Sequence, residues 1–224
     1  MEKEDWSIRE VFLHDYLVWL KYRHYIHRIP KIQKAFGLFD KEGKMQGVIA
    51  FNNVPSEMNH GKCLFKEYRV KGFNLTRLIV EDGLPKNTLS HFVSLALKQL
   101  PRPCFVVSYA DAGNGHQGYI YQATNFLYTG KTQEKHRYVK GDEWLHGRSF
   151  SLKYGSCSKE TIKRLGYERV LEERKHRYLL FIGSKVERKR MLRELKYPIL
   201  PYPKGENTRY DSSALIPTTS QMAI

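Results

Sequence analysis

Residues Ser108 to Gly130 read SYADAGNGHQGYIYQATNFLYTG, a span that holds a carboxylate, an imidazole, hydroxyls and phenols together. Asp111 is of the type that accepts a proton and Tyr121 of the type that donates one, which are the two halves of general acid–base chemistry. Ser108, Tyr109 and His116 stand close enough in sequence to line the same mouth. The elements that must position them follow from the flanking residues. An apolar, β-branched run (Cys104, Phe105, Val106, Val107) reads as a buried strand ending at Ser108-Tyr109-Ala110-Asp111. A glycine-rich turn comes next, then helical spacing from about His116 to Thr124. Asn125 suits the left-handed residue that closes many helices, and Phe126-Leu127-Tyr128 begins another strand. Polar side chains at the carboxyl end of a strand mark the usual place for a site in an open α/β sheet. The competing reading is a connector in which Tyr121 fills the core and His116 bonds its own turn.

Other stretches offer less chemistry. Trp6 to Tyr22 has the apolar spacing of an amphipathic helix (Val11, Phe12, Tyr16, Leu17, Trp19, Leu20) and runs into HYIHRIP, where Pro30 halts it. His24, Tyr25, His27 and Arg28 there form either a ligand cluster or a polar helix end. Ala35–Asp40 and Gly47–Phe51 are strand-like and are joined by a Lys41-Glu42-Gly43-Lys44 hairpin turn. Asn52 to Lys62 reads as a loop. Phe73 to Val80 is a strong strand whose alternation puts Phe73, Leu75, Arg77 and Ile79 on one face. An arginine mid-strand is costly unless paired, so Arg77 is expected to meet a carboxylate, a phosphate or a polar ligand. After the loop Glu81 to Thr88, a helix runs to about Leu100, with Asn87 or Thr88 as N-cap. A strand, a loop and a helix N-terminus make an anion site, and Lys86 adds charge to it.

The 224 residues suit one α/β domain, 1–203, with a tail over 204–224. The net charge of +15 calls for an anionic partner, most simply nucleic acid. Residues 131–197 carry 19 Lys/Arg against 9 Asp/Glu, with aromatics interleaved. That composition suits phosphate contacts combined with base stacking, or an ordinary solvated exterior. His176 to Ile182 reads as a strand and Lys185 to Lys196 as a basic helix. No transmembrane run or signal peptide is evident. Cys63, Cys104 and Cys157 match neither a disulfide framework nor a zinc motif, which points to a reducing cytoplasm.

The order of helix, two strands, strand–loop–helix, strand, short helix and strand, with one more strand late, resembles the acyl-CoA-dependent N-acyltransferase fold known as GNAT. That resemblance implies a mixed, mostly antiparallel sheet flanked by helices, here with a basic C-terminal extension. Ile120-Tyr121 followed by Asn125-Phe126 matches the spacing of the fold's Leu-Tyr-x-x-x-Gly-Phe pattern. It implies that Tyr121 protonates a departing thiolate. It further implies that Leu78 and Val80 on the central strand, with Lys86, Asn87, Thr88 and Ser90 at the helix start, hold acetyl-CoA or a related acyl donor. The fold's Q/R-x-x-G-x-G/A phosphate loop is absent, and Glu81 to Thr88 stands in its place, with two acids that would repel a pyrophosphate.

A closer resemblance covers HYIHRIP, LTRLIVEDGLPKNTLSHF and SYADAGNGHQGYIYQATNFLYTG. These look like the phage DNA modification proteins of the Mom type; residues 140–168 match nothing in that pattern and read as an insertion. The resemblance implies conversion of adenine in double-stranded phage DNA to an N6-(methylcarbamoyl) form, in the host cytoplasm, as a shield against restriction enzymes. In that product a CH2 joins the adenine nitrogen to a carboxamide, so one plain acetyl transfer cannot make it. The implied roles are Asp111 accepting an N6 proton, Tyr109, His116 and Asn125 contacting the base, and Arg77 pairing with Asp111 or an anionic cofactor part. Iron has been associated with the family, which makes His24 and Tyr25 candidate ligands. The rival readings are an acyltransferase acting on a small amine or a protein, and a non-catalytic basic DNA-binding protein.

Overall fold

In the computed structural model, residues 6–23, 30–54 and 64–205 are described. Among the described residues seven strands form one sheet in the order β1-β2-β3-β4-β5-β10-β6, and three more, β7 (Lys135–Lys140), β8 (Glu143–His146) and β9 (Glu168–Glu172), form a small sheet in the order β8-β7-β9. In the large sheet these are β1 (Ser7–Glu10), β2 (Lys34–Phe39), β3 (Met45–Asn53), β4 (Lys71–Val80), β5 (Cys104–Ala110), β6 (Leu127–Lys131) and β10 (His176–Ile182). Every neighbouring pair is antiparallel except β4 and β5, which are parallel. The crossover between that pair is α2 (Thr88–Lys98), as a parallel connection requires. The chain therefore has the mixed, mostly antiparallel sheet flanked by helices that its sequence led us to expect.

Both faces of the sheet are covered. On one, Phe92, Val93, Ala96 and Leu97 of α2 and Tyr121 of α3 (Tyr119–Ala123) pack on Phe73, Leu75, Val106 and Tyr178. On the other, Tyr16 of α1 (Leu13–Val18) and Trp19 and Leu20 beyond it cover β2 and β3. Met191 of α6 (Lys185–Glu194) joins Phe65, Phe105, Val107 and Phe181 over β5 and β10. Each fully buried phenylalanine contributes about 1.5–3 kcal/mol relative to exposure, so these two layers hold the strands that frame the site. Among the described residues no helix is long and apolar enough to cross a membrane.

Two sequence expectations change. The helix expected from Trp6 is instead an edge strand followed by a short helix. Ser7–Glu10 pairs with Phe36–Phe39 of β2, and only after Phe12, whose backbone amide donates to the Asp15 side chain, does the helix begin. Strand pairing satisfies backbone groups that a marginal helix end would leave to water. The helix then widens into a π segment, Trp19–Arg23. The second change concerns β4. Arg77 stands opposite Ala50 while Leu75 stands opposite Phe51, so Thr76 is an extra residue, a β-bulge. The bulge flips the alternation. Leu78 and Val80 now join Phe73 and Leu75 on the α2 face, and Ile79 lies on the α1 face.

The hairpin between β2 and β3 is as expected, with Gly43 at a φ of 78°. Asn125 also takes the left-handed conformation assigned to it, at a φ of 61°. The helices α2, α3 and α6 and the strand β10 lie where sequence spacing put them, within a few residues. Between β6 and β10 the chain builds β7 (Lys135–Lys140), β8 (Glu143–His146), α4 (Gly147–Tyr154), α5 (Lys159–Arg164) and β9 (Glu168–Glu172). Tyr138, Phe150, Ile162 and Tyr167 give this excursion a core of its own.

Candidate functional site

The parallel pairing of β4 with β5 runs from Lys71 opposite Cys104 to Leu75 opposite Ser108 and stops there. β4 continues to Val80 and β5 to Ala110, so the two strands part above that point. The cause lies in two side chains. Thr76, the bulged residue, donates its hydroxyl to the Ala50 carbonyl at 3.1 Å, which turns β4 toward β3. Ser108 donates to the Leu75 carbonyl at 3.2 Å, closing the apex of the gap with a side chain where a ladder bond would have been.

Ser108 is fully buried, and its hydroxyl is hydrogen-bonded with Tyr121. The Tyr121 ring sits 5.4 Å from Phe126 and 5.2 Å from Tyr178, centroid to centroid. Burial raises its pKa, so the phenol keeps its proton at neutral pH. These two residues are thus brought together inside the α2 face. Tyr109, the next residue along β5, packs on the opposite face among the α6-side residues.

Asp111 lies at the end of β5, half-buried, and its carboxylate meets the Lys175 ammonium at 2.8 Å. From there the turn folds back on itself, with the His116 amide donating to the Asp111 carbonyl at 3.0 Å. Tyr178 of β10 secures its far end by donating to the Gln117 carbonyl at 2.5 Å. Gln122 in turn donates to the Tyr178 hydroxyl at 3.3 Å. Burial pushes the Tyr178 phenol up to about 12, so it remains a donor across the neutral range. Gly118 must be glycine. Its φ is 77°, and a β-carbon there would lie 2.5 Å from the Tyr178 ring. Sequence reasoning missed both Lys175 and Tyr178, since nothing local announces them. Each reaches the site through the antiparallel register that sets Tyr178 opposite Ser108 and His176 opposite Ala110.

On the β4 side, Leu78 and Val80 are half-buried on the face that α2 covers. Lys86 and Asn87 are exposed at the start of α2, Thr88 is buried, and Ser90 donates its hydroxyl to the Asn87 carbonyl at 2.9 Å. Asn87 occupies the N-cap position with a left-handed backbone and no side-chain cap bond. Of the two acids in this loop, Glu81 is ion-paired with Arg23, whose guanidinium lies 4.2 Å from the centre of the Trp19 ring. That pairing cancels one of the negative charges that the sequence sets against a bound phosphate. Arg77 is half-buried and donates to the Thr76 carbonyl at 2.8 Å. The carboxylate expected for it at Asp111 is held by Lys175. Asn125 is exposed at the end of α3. His24 and Tyr25 fall outside the described residues, and among the described residues no group of three or more His, Cys, Asp or Glu is placed to hold a metal ion.

Beyond Leu75 and Ser108 the strands β4 and β5 thus part, with Ser108 and Tyr121 buried at the apex of that gap and the Asp111–Lys175 pair at the end of β5. Among solved structures, the chain is similar to Arabidopsis thaliana NAA60 in complex with acetyl-CoA, at a TM-score of 0.49 and 11% identity over 79% of this chain and 99% of that one. It is also similar to the SpeG spermidine N-acetyltransferase of Vibrio cholerae, at a TM-score of 0.46 and 7% identity over 79% of this chain and 93% of that one. Among curated proteins it is 29% identical to the methylcarbamoylase Mom of Escherichia phage Mu, in an alignment that covers 81% of this chain and 77% of that relative. The Mom protein family pattern matches residues 5–204, and the chain belongs to that family.

Proposed function

We propose that this chain is a transferase that converts adenine in double-stranded phage DNA to its N6-(methylcarbamoyl) form, in the cytoplasm of the infected cell, so that restriction enzymes no longer cut it. The observation that carries this reading is family membership over residues 5–204, with a relative named a methylcarbamoylase. The N6 amine is stacked and paired in duplex DNA, so the base must be extruded at a cost of about a few kcal/mol before anything can reach it. Its lone pair is delocalised into the ring, so removing an N6 proton as the N6–carbon bond forms is the help it most needs. Asp111 is the acceptor for that proton. Lys175, 2.8 Å away, holds the carboxylate in place.

An acyl-CoA-type donor fits the gap on the β4 side. Past Leu75 that strand edge is no longer paired with β5, its Leu78 and Val80 side chains are half-buried, and Glu81 is neutralised from within. When bound, such a donor would supply carbon activated by its thioester, and the N6–CH2 bond and the carboxamide nitrogen of the product call for a rearrangement or another donor besides. Tyr121, protonated and hydrogen-bonded with Ser108, is the phenol available to donate to a departing group. His116 and Asn125 are assigned to the base; Tyr109, which packs on the opposite face of the sheet, is withdrawn from that role. Nucleoside mass spectrometry on DNA from cells expressing the chain tests the reading. Modified deoxyadenosine is expected. Unmodified deoxyadenosine alongside abundant soluble protein refutes it, and an acylated amine or lysine would move the chain to the small-amine or protein acyltransferases.

A further inference from the structure

The excursion between β6 and β10 leaves and returns at the working end of the sheet. Lys131, the last residue of β6, pairs with His176, and His176 also stands opposite Ala110, the last residue of β5 before Asp111. Lys175, the residue on which the excursion ends, is the one that holds Asp111. This places a subunit of structure with its own core beside the rim of the gap, covalently continuous with β10, which pairs with β5, and with β6, which pairs with β10.

Its acids and bases are used unequally. Glu143 is bonded to Lys153 at 2.8 Å and to the Tyr167 hydroxyl at 2.7 Å, and Glu172 is bonded to His146 at 2.7 Å. Hydrogen bonds from the backbone and Ser158 at the start of α5 hold the Glu160 carboxyl below its ordinary range. Arg148 on α4 and Lys159, Lys163 and Arg164 on α5 are all exposed, and among the described residues none of them forms an ion pair. Phe150 and Ile162 anchor these two helices in one core with Tyr138 of β7, so both lie over the same side of the small sheet. Arg148 is in the first turn of α4, where no acid accompanies it and the helix's own field disfavours a cation. An anion at that position would turn this local cost into a gain.

Resting on the DNA-adenine reading above, we propose that the helical side of the excursion grips the phosphate backbone of duplex DNA, through Arg148, Lys159, Lys163 and Arg164, next to the base presented at the Asp111 rim. A comparably basic surface exists on α6, with Lys185, Arg188, Lys189 and Arg193 exposed. That helix starts from the other end of β10, where Ile182 stands opposite Cys104, and so it serves as the internal comparison.

The test uses the full chain and a fluorescently labelled duplex, with anisotropy read across a salt series. Each phosphate that the protein neutralises adds about 0.9 to the log–log salt slope, so replacing all four excursion cations with glutamine should lower it by about 3.6 and weaken binding at least tenfold at moderate salt. The charge-keeping variant R148K/K159R/K163R/R164K should retain binding. The matching α6 variant, K185Q/R188Q/K189Q/R193Q, should stay within about threefold of the unaltered chain by the same reasoning. If the fourfold glutamine variant does not fold, the pair K163Q/R164Q carries the test with an expected slope change of about 2. An unchanged slope in the excursion variants, or an equal weakening in the α6 variant, overturns the proposal while an unaltered chain that binds and modifies DNA leaves the enzymatic reading standing. An unaltered chain that neither binds the duplex nor modifies it brings down that reading itself.

Discussion

Gly118→Ala is the substitution on which the geometry of the turn can be judged most sharply. The backbone there has a φ of 77°, and an L side chain in the left-handed region costs about 1–2 kcal/mol. The new methyl would meet the Tyr178 ring at 2.5 and 2.8 Å and its hydroxyl at 3.0 Å. Forcing a methyl into packing of that kind adds about 1–3 kcal/mol. The ring has nowhere to retreat, since it packs between Tyr121 and Tyr128 at 5.2 and 5.3 Å and its hydroxyl is tied to Gln117. The expected loss is therefore about 2–5 kcal/mol, which for a chain of this size lowers the melting temperature by roughly 5–15 °C. Gly43→Ala isolates the backbone contribution. Its φ is 78° and nothing lies within 4 Å of the added carbon, so it should cost only about 1–2 kcal/mol. Urea unfolding of the two variants, side by side with the unaltered chain, gives the difference directly. If the two alanine variants agree within about 0.5 kcal/mol, the close approach of Tyr178 to the turn is wrong, and with it the account of how Asp111 and α3 are held in register.

Further substitutions probe separate parts of the site. Asp111→Asn should abolish adenine modification while duplex affinity, read by anisotropy, changes less than threefold; comparable loss of both would remove Asp111 from proton transfer. Tyr178→Phe removes the shorter of two hydrogen bonds to the Gln117 carbonyl and leaves the Gln122 amide at 3.3 Å, so a loss of about 0.5–1.5 kcal/mol is expected in urea unfolding, and no change would deny the Tyr178 bond. Lys175→Met should cost no more than about 1 kcal/mol in stability, because the pair is partly exposed, yet reduce modification strongly, with Lys175→Arg restoring much of it. His176 supplies a pH signature. It is buried, and burial lowers its pKa below the ordinary 6.5, so the unfolded chain binds a proton that the folded chain refuses. Stability should accordingly fall as pH drops below about 6.5 and level off once the folded histidine also titrates. A melting temperature flat across that window would count against the burial of its ring beside Tyr128.

What the sequence disclosed was local, and what it hid was register. The turn after β5, the left-handed Asn125 and the hairpin at Gly43 are legible because glycine and asparagine are tied to backbone conformations by sterics alone. The strand alternation of β4 misled because one inserted residue, Thr76, inverts every face after it, and an isolated threonine gives no sign that it will be bulged. Ser7–Glu10 misled for the opposite reason. Its residues tolerate a helix, and pairing with Phe36–Phe39 decides against it. Glu81 reads in sequence as an obstacle to an anionic ligand. Only the fold shows Arg23, 58 positions earlier, cancelling it.

The same distinction explains why the site sits where it does. A parallel pair in an otherwise antiparallel sheet needs a crossover, and here α2 provides it from the end at which β4 and β5 have parted. β10 then enters between β5 and β6, bringing Tyr178 under the turn and Lys175 to its rim from more than sixty residues away. The excursion that separates β6 from β10 can grow without disturbing the sheet, because both its ends are fixed by pairing at His176. A surface built on it is therefore free to change with the polymer it holds. The proposed proton-transfer groups stay anchored at the end of β5 and on α3, and Lys175 is the residue through which one part is held against the other.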